Sequence, residues 1–138
     1  MPVNIILEDF AFQPTKAHED DAGFDLYSPE DKVVPAHGSA VFDTGVHVEL
    51  RKNSVGMIKS KSGLNVKHGI TSEGVIDVGY TGSIKVKLYN HSDEDYEVKR
   101  GDKISQLVVM PFFNVRLNVV DEFETTERGD NGFGSTGR

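Results

Sequence analysis

Apolar and polar residues alternate along two stretches of this chain, which is typical of strands with one buried face. Val46, Val48 and Leu50 alternate with polar residues, and the same period recurs from Ile84 to Leu88. Shorter apolar runs between turn residues predict further strands at 5–7, 22–27, 33–34, 39–42, 104–110 and 117–120. Many short strands at regular spacing indicate an all-β fold, either an antiparallel sandwich or a jelly roll.

Residues 62–68 are the only segment with the character of a helix. Ser62 is the predicted N-cap, and Gly69 is the predicted stop. Lys59 and Lys61 come just before this start, where free backbone N–H groups favour an anion. The segment therefore predicts a phosphate-binding helix start, and a capped helix with solvated lysines is the alternative.

The stretch 74–82 combines turn-forming glycines with two chemically distinct side chains. Its three glycines permit tight turning and close approach of a ligand to the backbone. Asp77 and Tyr80 lie between them, so a bent hairpin can direct an acid and a ring into one cavity. An ordinary hairpin with a solvated aspartate and a packed tyrosine is the alternative.

Composition narrows the class of protein. At 138 residues, with 37% hydrophobic and 27% charged residues, the chain predicts one globular domain. No apolar run approaches the roughly 20 residues of a membrane span. The sequence has no cysteine, and its first residues do not resemble a signal peptide. These features predict a soluble cytoplasmic protein that does not interact with membranes.

Charge and histidine spacing limit the ligands. A net charge of −7 argues against a nucleic-acid partner but permits a small phosphorylated ligand, with a divalent cation to offset the repulsion. His47 falls on the polar side of its strand, so it is interpreted as an outward residue. The other histidines lack the spacing of a zinc site; they are His18, His37, His68 and His91.

The last eleven residues, 128–138, differ from the rest of the chain. They contain four glycines, two arginines and one large apolar residue, Phe133. A segment of this composition cannot form its own core. It is predicted to fold over a ligand as a lid, and a disordered terminus is the alternative.

Five short motifs follow one another along the chain. They are Ala22-Gly23-Phe24-Asp25-Leu26; Lys61-Ser62-Gly63-Leu64; Gly74-Val75-Ile76-Asp77 with Tyr80 and Gly82; Arg100-Gly101-Asp102-Lys103-Ile104 with Gln106-Leu107; and Arg128-Gly129 with Gly132-Phe133-Gly134-Ser135-Thr136-Gly137. Each motif is weak alone, but five in order are specific. Together they resemble the trimeric dUTP pyrophosphatase (dUTPase) family across nearly the whole chain.

The resemblance implies a fold, an assembly and a reaction. The fold would be a distorted jelly roll of the β-clip type with one short helix, comprising a core at 1–127 and a C-terminal lid at 128–138. The assembly would be a homotrimer with a C-terminal arm and active sites at subunit interfaces. The reaction would be hydrolysis of dUTP to dUMP and pyrophosphate with Mg2+ as cofactor.

The resemblance also implies roles for the residues nearest the bond that breaks. Asp77 would be the general base that activates water against the α-phosphorus. Asp25 would hold the metal through water molecules. Ser62 and Gly63, with the charge of Lys61, would contact the phosphates.

The nucleoside and the outer phosphates would be bound by the remaining motif residues. Tyr80 would pack on the sugar and exclude a 2′-hydroxyl, while Phe133 would stack on uracil. Uracil would be recognised by the backbone around residues 71–76, with a main-chain contact from Lys85; the residues concerned are Thr71, Gly74, Val75 and Ile76. The outer phosphates would be contacted by Gln106, Arg128, Gly134 and Ser135.

Two positions depart from the family pattern. Lys61 stands where arginine is usual, so a charge is kept but a planar fork is lost. Thr71 stands where many members have asparagine, which leaves more of the uracil recognition to the backbone or to water.

Two rival functions remain open on the sequence. A dCTP deaminase of the same fold would share the phosphate and sugar contacts. A regulatory module would use the trimer surface to bind a protein partner, as some phage members of the family do.

Overall fold

The computed structural model describes residues 1–132 as strands, turns and one short helix. The strands are β1 (Asn4–Leu7), β2 (Gly23–Tyr27), β3 (Lys32–Val34), β4 (Ser39–Asp43), β5 (Val46–Glu49), β6 (Ser54–Lys59), β7 (Ile70–Thr71), β8 (Glu73–Ile76), β9 (Lys85–Asn90), β10 (Tyr96–Val98) and β11 (Lys103–Pro111), and the helix is α1 (Ser62–His68). The all-β prediction with one short helix is confirmed. No helix within this part of the chain is both long enough and apolar enough to cross a membrane.

The strands form antiparallel sheets around one core. A four-stranded sheet has the order β2-β11-β6-β8, and a three-stranded sheet has the order β4-β9-β7. Two further pairs join β1 to β5 and β3 to β10. The alternating positions predicted to face inward do so: Val46 and Val48 in β5, and Val86 and Leu88 in β9, are buried. Their burial fixes the register of both strands, because a slip by one residue would expose every apolar side chain.

The N-cap of the helix lies one residue earlier than predicted. Lys61 is the N-cap: its backbone is extended, and its carbonyl accepts a bond from Asn65 N–H at 3.0 Å. Ser62 is already the first helical residue, so its prediction as the N-cap was wrong. No side-chain cap bond is formed at Lys61. The predicted stop is confirmed, since Gly69 ends the helix at φ 66°, a conformation that glycine adopts readily.

The last predicted strand, at 117–120, was also wrong. These residues are outside any strand, and Leu117 and Val119 are 94% and 97% exposed. A strand needs a neighbour for its backbone N–H and C=O groups, and residues 112–132 form no strand pairing within the described part of the chain. The apolar residues of this segment therefore lie on an exposed arm instead.

Candidate functional site

The stretch 74–82 forms one side of a cleft. The edge strand β8 ends at Ile76, and a turn then carries the chain through Asp77 to Tyr80, where the Tyr80 N–H donates to the Asp77 carbonyl at 3.1 Å. The cleft is about 280 Å³ and is lined by Ile58, Gly74, Val75, Ile76, Asp77, Tyr80, Ile84 and Lys85. An acid and an aromatic ring thus line one cavity, as the sequence predicted.

Two glycines allow Tyr80 to take its place in the turn. Gly79 has φ 96°, which an L side chain rarely adopts. A Cβ on Gly82 would lie 2.6 Å from the Tyr80 hydroxyl oxygen, so the ring occupies space that only glycine leaves open. The hydroxyl donates to the Ser83 carbonyl at 2.8 Å, which ties the ring back to its own turn. The ring is nevertheless about half exposed and free to meet a ligand.

A second, polar pocket lies at the start of the helix. It is about 310 Å³ and is lined by Ala17, Asp21, Ala22, Gly23, Asp25, Lys61, Ser62, Lys103 and Gln106. The first, second and fourth sequence motifs therefore meet here. Two ammonium groups, a hydroxyl and an amide side chain around one small pocket are suited to binding phosphate oxygens.

Asp25 is the buried charge of this pocket, with 4% of the residue exposed. The Lys61 ammonium group donates to its Oδ1, and the Lys103 Nζ lies 3.3 Å from its Oδ2. A carboxylate can be buried in this way because both of its oxygens have cationic partners. Lys61 therefore contacts Asp25 as a single-point charge. The Lys103 ammonium group is a second cationic partner of Asp25, and the sequence analysis gave Lys103 no role.

Gln106 lies beside this ion cluster. Its Nε2 donates to the Ser60 carbonyl at 2.9 Å, and it faces Asp25 across the β2–β11 pair. A Cβ on Gly23 would lie 2.2 Å from the Gln106 Oε1, so the glycine of the first motif makes room for this amide. The bond to the Ser60 carbonyl thus fixes the orientation of the Gln106 amide.

The cleft and the polar pocket are far apart within one chain. Asp77 follows the last residue of β8, and Ser62 comes just after the end of β6. Because β6 and β8 are antiparallel partners, these two ends lie at opposite ends of the pair. At about 3.3 Å per residue, their levels differ by on the order of 15–20 Å. The two groups cannot both touch one phosphorus atom unless they come from different copies of the chain.

The residues present do not form a complete metal cage. Within residues 1–132 there is no group of three or more His, Cys, Asp or Glu side chains that could hold an ion. Both oxygens of Asp25 already contact ammonium groups. Mg2+ usually keeps several waters and is bound by one or two carboxylates together with phosphates. Asp25 fits that indirect role, at the edge of a pocket suited to phosphate.

Several other predicted site residues lie elsewhere. Thr71 is not among the residues that line the cleft, and its hydroxyl is 2.8 Å from the Nε2 of His91. Arg128 is bonded within its own loop, with Nε donating to the Asn131 carbonyl at 2.6 Å. Phe133, Gly134 and Ser135 lie outside the described residues.

A network behind the Tyr80 turn was missed by the sequence reasoning. The Ser83 hydroxyl donates to Asp43 Oδ1, and His47 Nδ1 lies 2.6 Å from the Thr81 carbonyl. The bond from Ser83, with help from the Gly45 N–H, holds the pKa of Asp43 below its usual value of 3.8. Glycine-flanked Thr81 and Ser83 gave no signal, because their partners lie more than thirty residues away in the chain.

Fold and site together define a class: an all-β protein of the jelly-roll type, with a small-ligand cleft beside an open strand edge and a separate polar pocket. That combination is shared with proteins of known type. The chain belongs to the dUTPase family, whose model matches residues 11–137.

Individual relatives and structures agree with this assignment. The chain is 44% identical over 134 residues to the deoxyuridine 5'-triphosphate nucleotidohydrolase of Clostridium acetobutylicum, covering 95% of this chain and 92% of that protein. It is similar to the dUTPase of Staphylococcus bacteriophage 80alpha solved with dUPNHPP, with a TM-score of 0.92, 30% identity and 99% of both chains covered. A mutant dUTPase from phage phi11 of S. aureus, described as revealing the coordination of a structural Mg(II) ion, has a TM-score of 0.82 and 28% identity over 91% of this chain and 100% of that one.

Proposed function

We propose that this protein hydrolyses dUTP to dUMP and pyrophosphate, with Asp77 as the general base. The observation that carries the proposal is the cleft in which Asp77 and Tyr80 lie beside the open edge of β8. The family assignment supplies the substrate class, and the cleft supplies an acid, a ring and a backbone edge. The proposal includes the cytoplasmic location that the sequence predicts.

Uracil would be recognised by the backbone of β8. This strand is at the edge of its sheet, so one side of its backbone has no strand partner there. Unpaired N–H and C=O groups at a strand edge can bond to a base as another base would. Gly74 and its neighbours Val75 and Ile76 line the cleft at this edge, and Lys85 lines the same cleft. Because Thr71 does not line the cleft, recognition of uracil would depend on these backbone groups.

Tyr80 would set the preference for deoxyribose. Its ring is fixed by Gly82 beneath it and by the bond from its hydroxyl to Ser83. A ring held in this way packs against the face of a sugar and leaves no space for a 2′-hydroxyl. UTP would therefore bind poorly, since its extra hydroxyl would be buried without a partner.

The phosphates would be bound by the polar pocket of a second copy. Lys61, Ser62 and Gln106 line this pocket, and Gly63 lies at the same helix start. Since the pocket and the cleft of one chain are too far apart to share a phosphorus, a complete site requires two copies. The exposed apolar arm at 112–123 gives each copy a surface that association would bury. A homotrimer with sites at its interfaces meets both requirements.

In the reaction, the oxygen of a water molecule attacks the α-phosphorus in line with the bridging oxygen. The Asp77 carboxylate accepts the proton of that water, and the α,β P–O bond breaks to release pyrophosphate. Positioned general bases contribute about 10²–10⁴ to a rate. Residues 1–132 give the Asp77 carboxylate no side-chain bond or ion pair, so it is available to accept a proton.

Mg2+ would be held by the phosphates and, through water, by Asp25. When bound, the ion neutralises the charge of the triphosphate and favours departure of pyrophosphate. Lys61 and Lys103 hold the Asp25 carboxylate in place at the edge of the pocket proposed for the phosphates.

The segment 128–138 would close over bound substrate as a lid. Phe133 supplies a ring for uracil, and Arg128, Gly134 and Ser135 supply donors for the outer phosphates. Closure excludes bulk water, so only the positioned water can react.

The test is a comparison of nucleoside triphosphates with purified protein and Mg2+. We expect pyrophosphate release from dUTP and far less from dTTP, dCTP or UTP. Release of ammonia from dCTP would instead support the deaminase alternative. Light scattering should give the mass of three chains, and a monomer with full activity would contradict the shared site.

A further inference from the structure

His47 makes two hydrogen bonds that require two protons on its ring. Its Nδ1 lies 2.6 Å from the carbonyl oxygen of Thr81, and its Nε2 lies 2.9 Å from Oε2 of Glu8. A carbonyl and an ionised carboxylate only accept hydrogen bonds, and a neutral imidazole carries a single N–H. Both bonds are therefore satisfied only when the ring is an imidazolium.

The Thr81 carbonyl connects His47 to the substrate cleft. Thr81 directly follows Tyr80 and directly precedes Gly82, the glycine over which the Tyr80 ring lies. On one side, the turn is fixed by the bond from Ser83 to Asp43. On the other side, it is fixed by the bond from His47 to Thr81. Without His47, Thr81 would lose its hydrogen bond to β5, and side-chain bonds would tie this segment to the region of β4 and β5 through Ser83 alone.

Glu8 is itself fixed in place to serve as the partner of His47. Its backbone N–H donates to the Gly45 carbonyl at 3.0 Å, so it is anchored to the connection between β4 and β5, just before His47 in the chain. The His47 side chain is 26% exposed and lies between Glu8 and the turn. The chain of contacts from Glu8 through His47 to Thr81 is therefore continuous, and it lies at the surface, where 44% of the Glu8 side chain is exposed.

Two acidic groups act on His47, namely Glu8 and Asp43, and Lys85 of β9 lies opposite Asp43. Glu8 approaches from the segment after β1, and Asp43 lies at the end of β4. Glu49 is two residues further along the same face of β5 and accepts a bond from Asn4 at 3.1 Å. The bond to the Thr81 carbonyl raises the pKa of His47 above its usual 6.5, with further contributions from Glu8 and Asp43, and desolvation opposes them.

We propose that His47 is a positioning residue that holds the Tyr80 turn against strand β5 and thereby sustains discrimination between deoxyribose and ribose. The effect on discrimination depends on the proposed dUTP hydrolysis, whereas the bracing of the turn does not. The brace is complete when His47 is protonated. It loses one of its two bonds as pH rises through the folded-state pKa, which lies above 6.5.

The bracing is tested in the free protein by NMR with uniformly isotope-labelled protein. We expect His47 to titrate with a midpoint above 6.5, and the signals of Tyr80 and Thr81 to shift with the same midpoint. In Glu8→Gln the midpoint should fall, because the carboxylate that favours the second proton is gone. A midpoint at or below 6.5, or Tyr80 and Thr81 signals that ignore the His47 titration, would overturn the proposal.

The consequence for selectivity is tested with kcat/KM for dUTP and UTP from about pH 6 to about pH 9, a range that spans the titration of a histidine. We expect the dUTP preference to fall by a factor of about 2–10 across the His47 titration, the worth of one net hydrogen bond. His47→Gln should show the reduced preference at every pH.

The matched control is His37→Asn. His37 also contacts a carboxylate, that of Asp93, but it lies on a loop with φ 55°, where asparagine is well tolerated. This variant should keep the wild-type profile, and a profile altered equally by both substitutions would contradict the specific role of His47. If the protein hydrolyses no dUTP at all, the proposed function fails, and the NMR titration still decides whether His47 braces the turn.

Discussion

The hydroxyl of Tyr80 lies over Gly82, and a Cβ added to that glycine would be only 2.6 Å from the hydroxyl oxygen. The same hydroxyl donates to the Ser83 carbonyl, so the ring cannot swing aside without losing a hydrogen bond. The position of the Tyr80 ring in the cleft therefore depends on the absence of a side chain at Gly82. This relationship gives a direct test of the role of Tyr80.

Gly82→Ala should lower the preference for dUTP over UTP. The added methyl group displaces the Tyr80 ring, so the ring no longer excludes a 2′-hydroxyl. Comparing kcat/KM for the two nucleotides measures the effect. Gly23→Ala is the matched control: its Cβ meets the flexible end of Gln106, so it should weaken phosphate binding and leave the preference between the sugars unchanged.

Asp77→Asn should abolish turnover and leave nucleotide binding intact. An amide cannot accept the proton of the attacking water, so kcat should fall by about 10²–10⁴. Single-turnover rates and the affinity for a non-hydrolysable dUTP analogue separate the two effects. Glu73→Gln, at the start of the same strand, removes an exposed acid that pairs with Lys59 and should retain wild-type kcat. Near-normal turnover by Asp77→Asn would remove this residue as the base.

Lys61→Met should destabilise the fold more than Lys59→Met. Lys61 contacts the buried Asp25, and the loss of a bond to a buried charge costs about 1–3 kcal/mol. Lys59 pairs with Glu73 at the exposed end of its strand, where an ion pair is worth about 0–1 kcal/mol. Urea unfolding of both variants measures the difference. Equal losses would show that the pair of Lys61 with Asp25 is no stronger than a surface pair.

Deletion of residues 128–138 should greatly reduce kcat/KM and leave the assembly intact. The deleted segment contains the donors and the ring proposed to close over substrate, whereas the apolar arm at 112–123 remains. Light scattering reports the assembly, and steady-state kinetics report the activity. Full activity in the shortened protein would refute the lid.

Ser83→Ala should reduce stability at neutral pH and have less effect in acid. The Ser83 hydroxyl keeps the pKa of Asp43 below 3.8, so its contribution is present above that pH and is lost as pH falls through the lower folded-state value. We expect a loss of about 1 kcal/mol at pH 7, the typical worth of one hydrogen bond. Denaturant midpoints at several pH values test this, and a loss that persists unchanged in acid would contradict the role of Asp43.

Local pattern determined much of the fold. The period of two at Val46 and Val48 predicted a buried face correctly, because alternation requires no knowledge of the partner strand. The helix at 62–68 and its stop at Gly69 were predicted for the same reason, since caps are local. The N-cap shows the limit of this reasoning. The first helical residue depends on backbone angles, and Lys61, not Ser62, has the extended backbone of the N-cap.

The predicted strand at 117–120 failed for a reason that is not local. Its apolar residues resemble those of other short strands, but Leu117 and Val119 pair with no strand of their own chain within the described residues. The sequence contains the pattern, whereas the presence of a partner strand is a property of the assembled molecule.

The sequence by itself determined which residues are the candidates for the chemistry, because Asp77, Tyr80 and the glycines around them form one short motif. Only the tertiary structure decided which residues meet across the chain. Lys61 reaches Asp25 from thirty-six residues away, and His47 reaches Thr81 from thirty-four. Strand pairing creates such contacts, and it depends on the burial of the whole core rather than on any one motif.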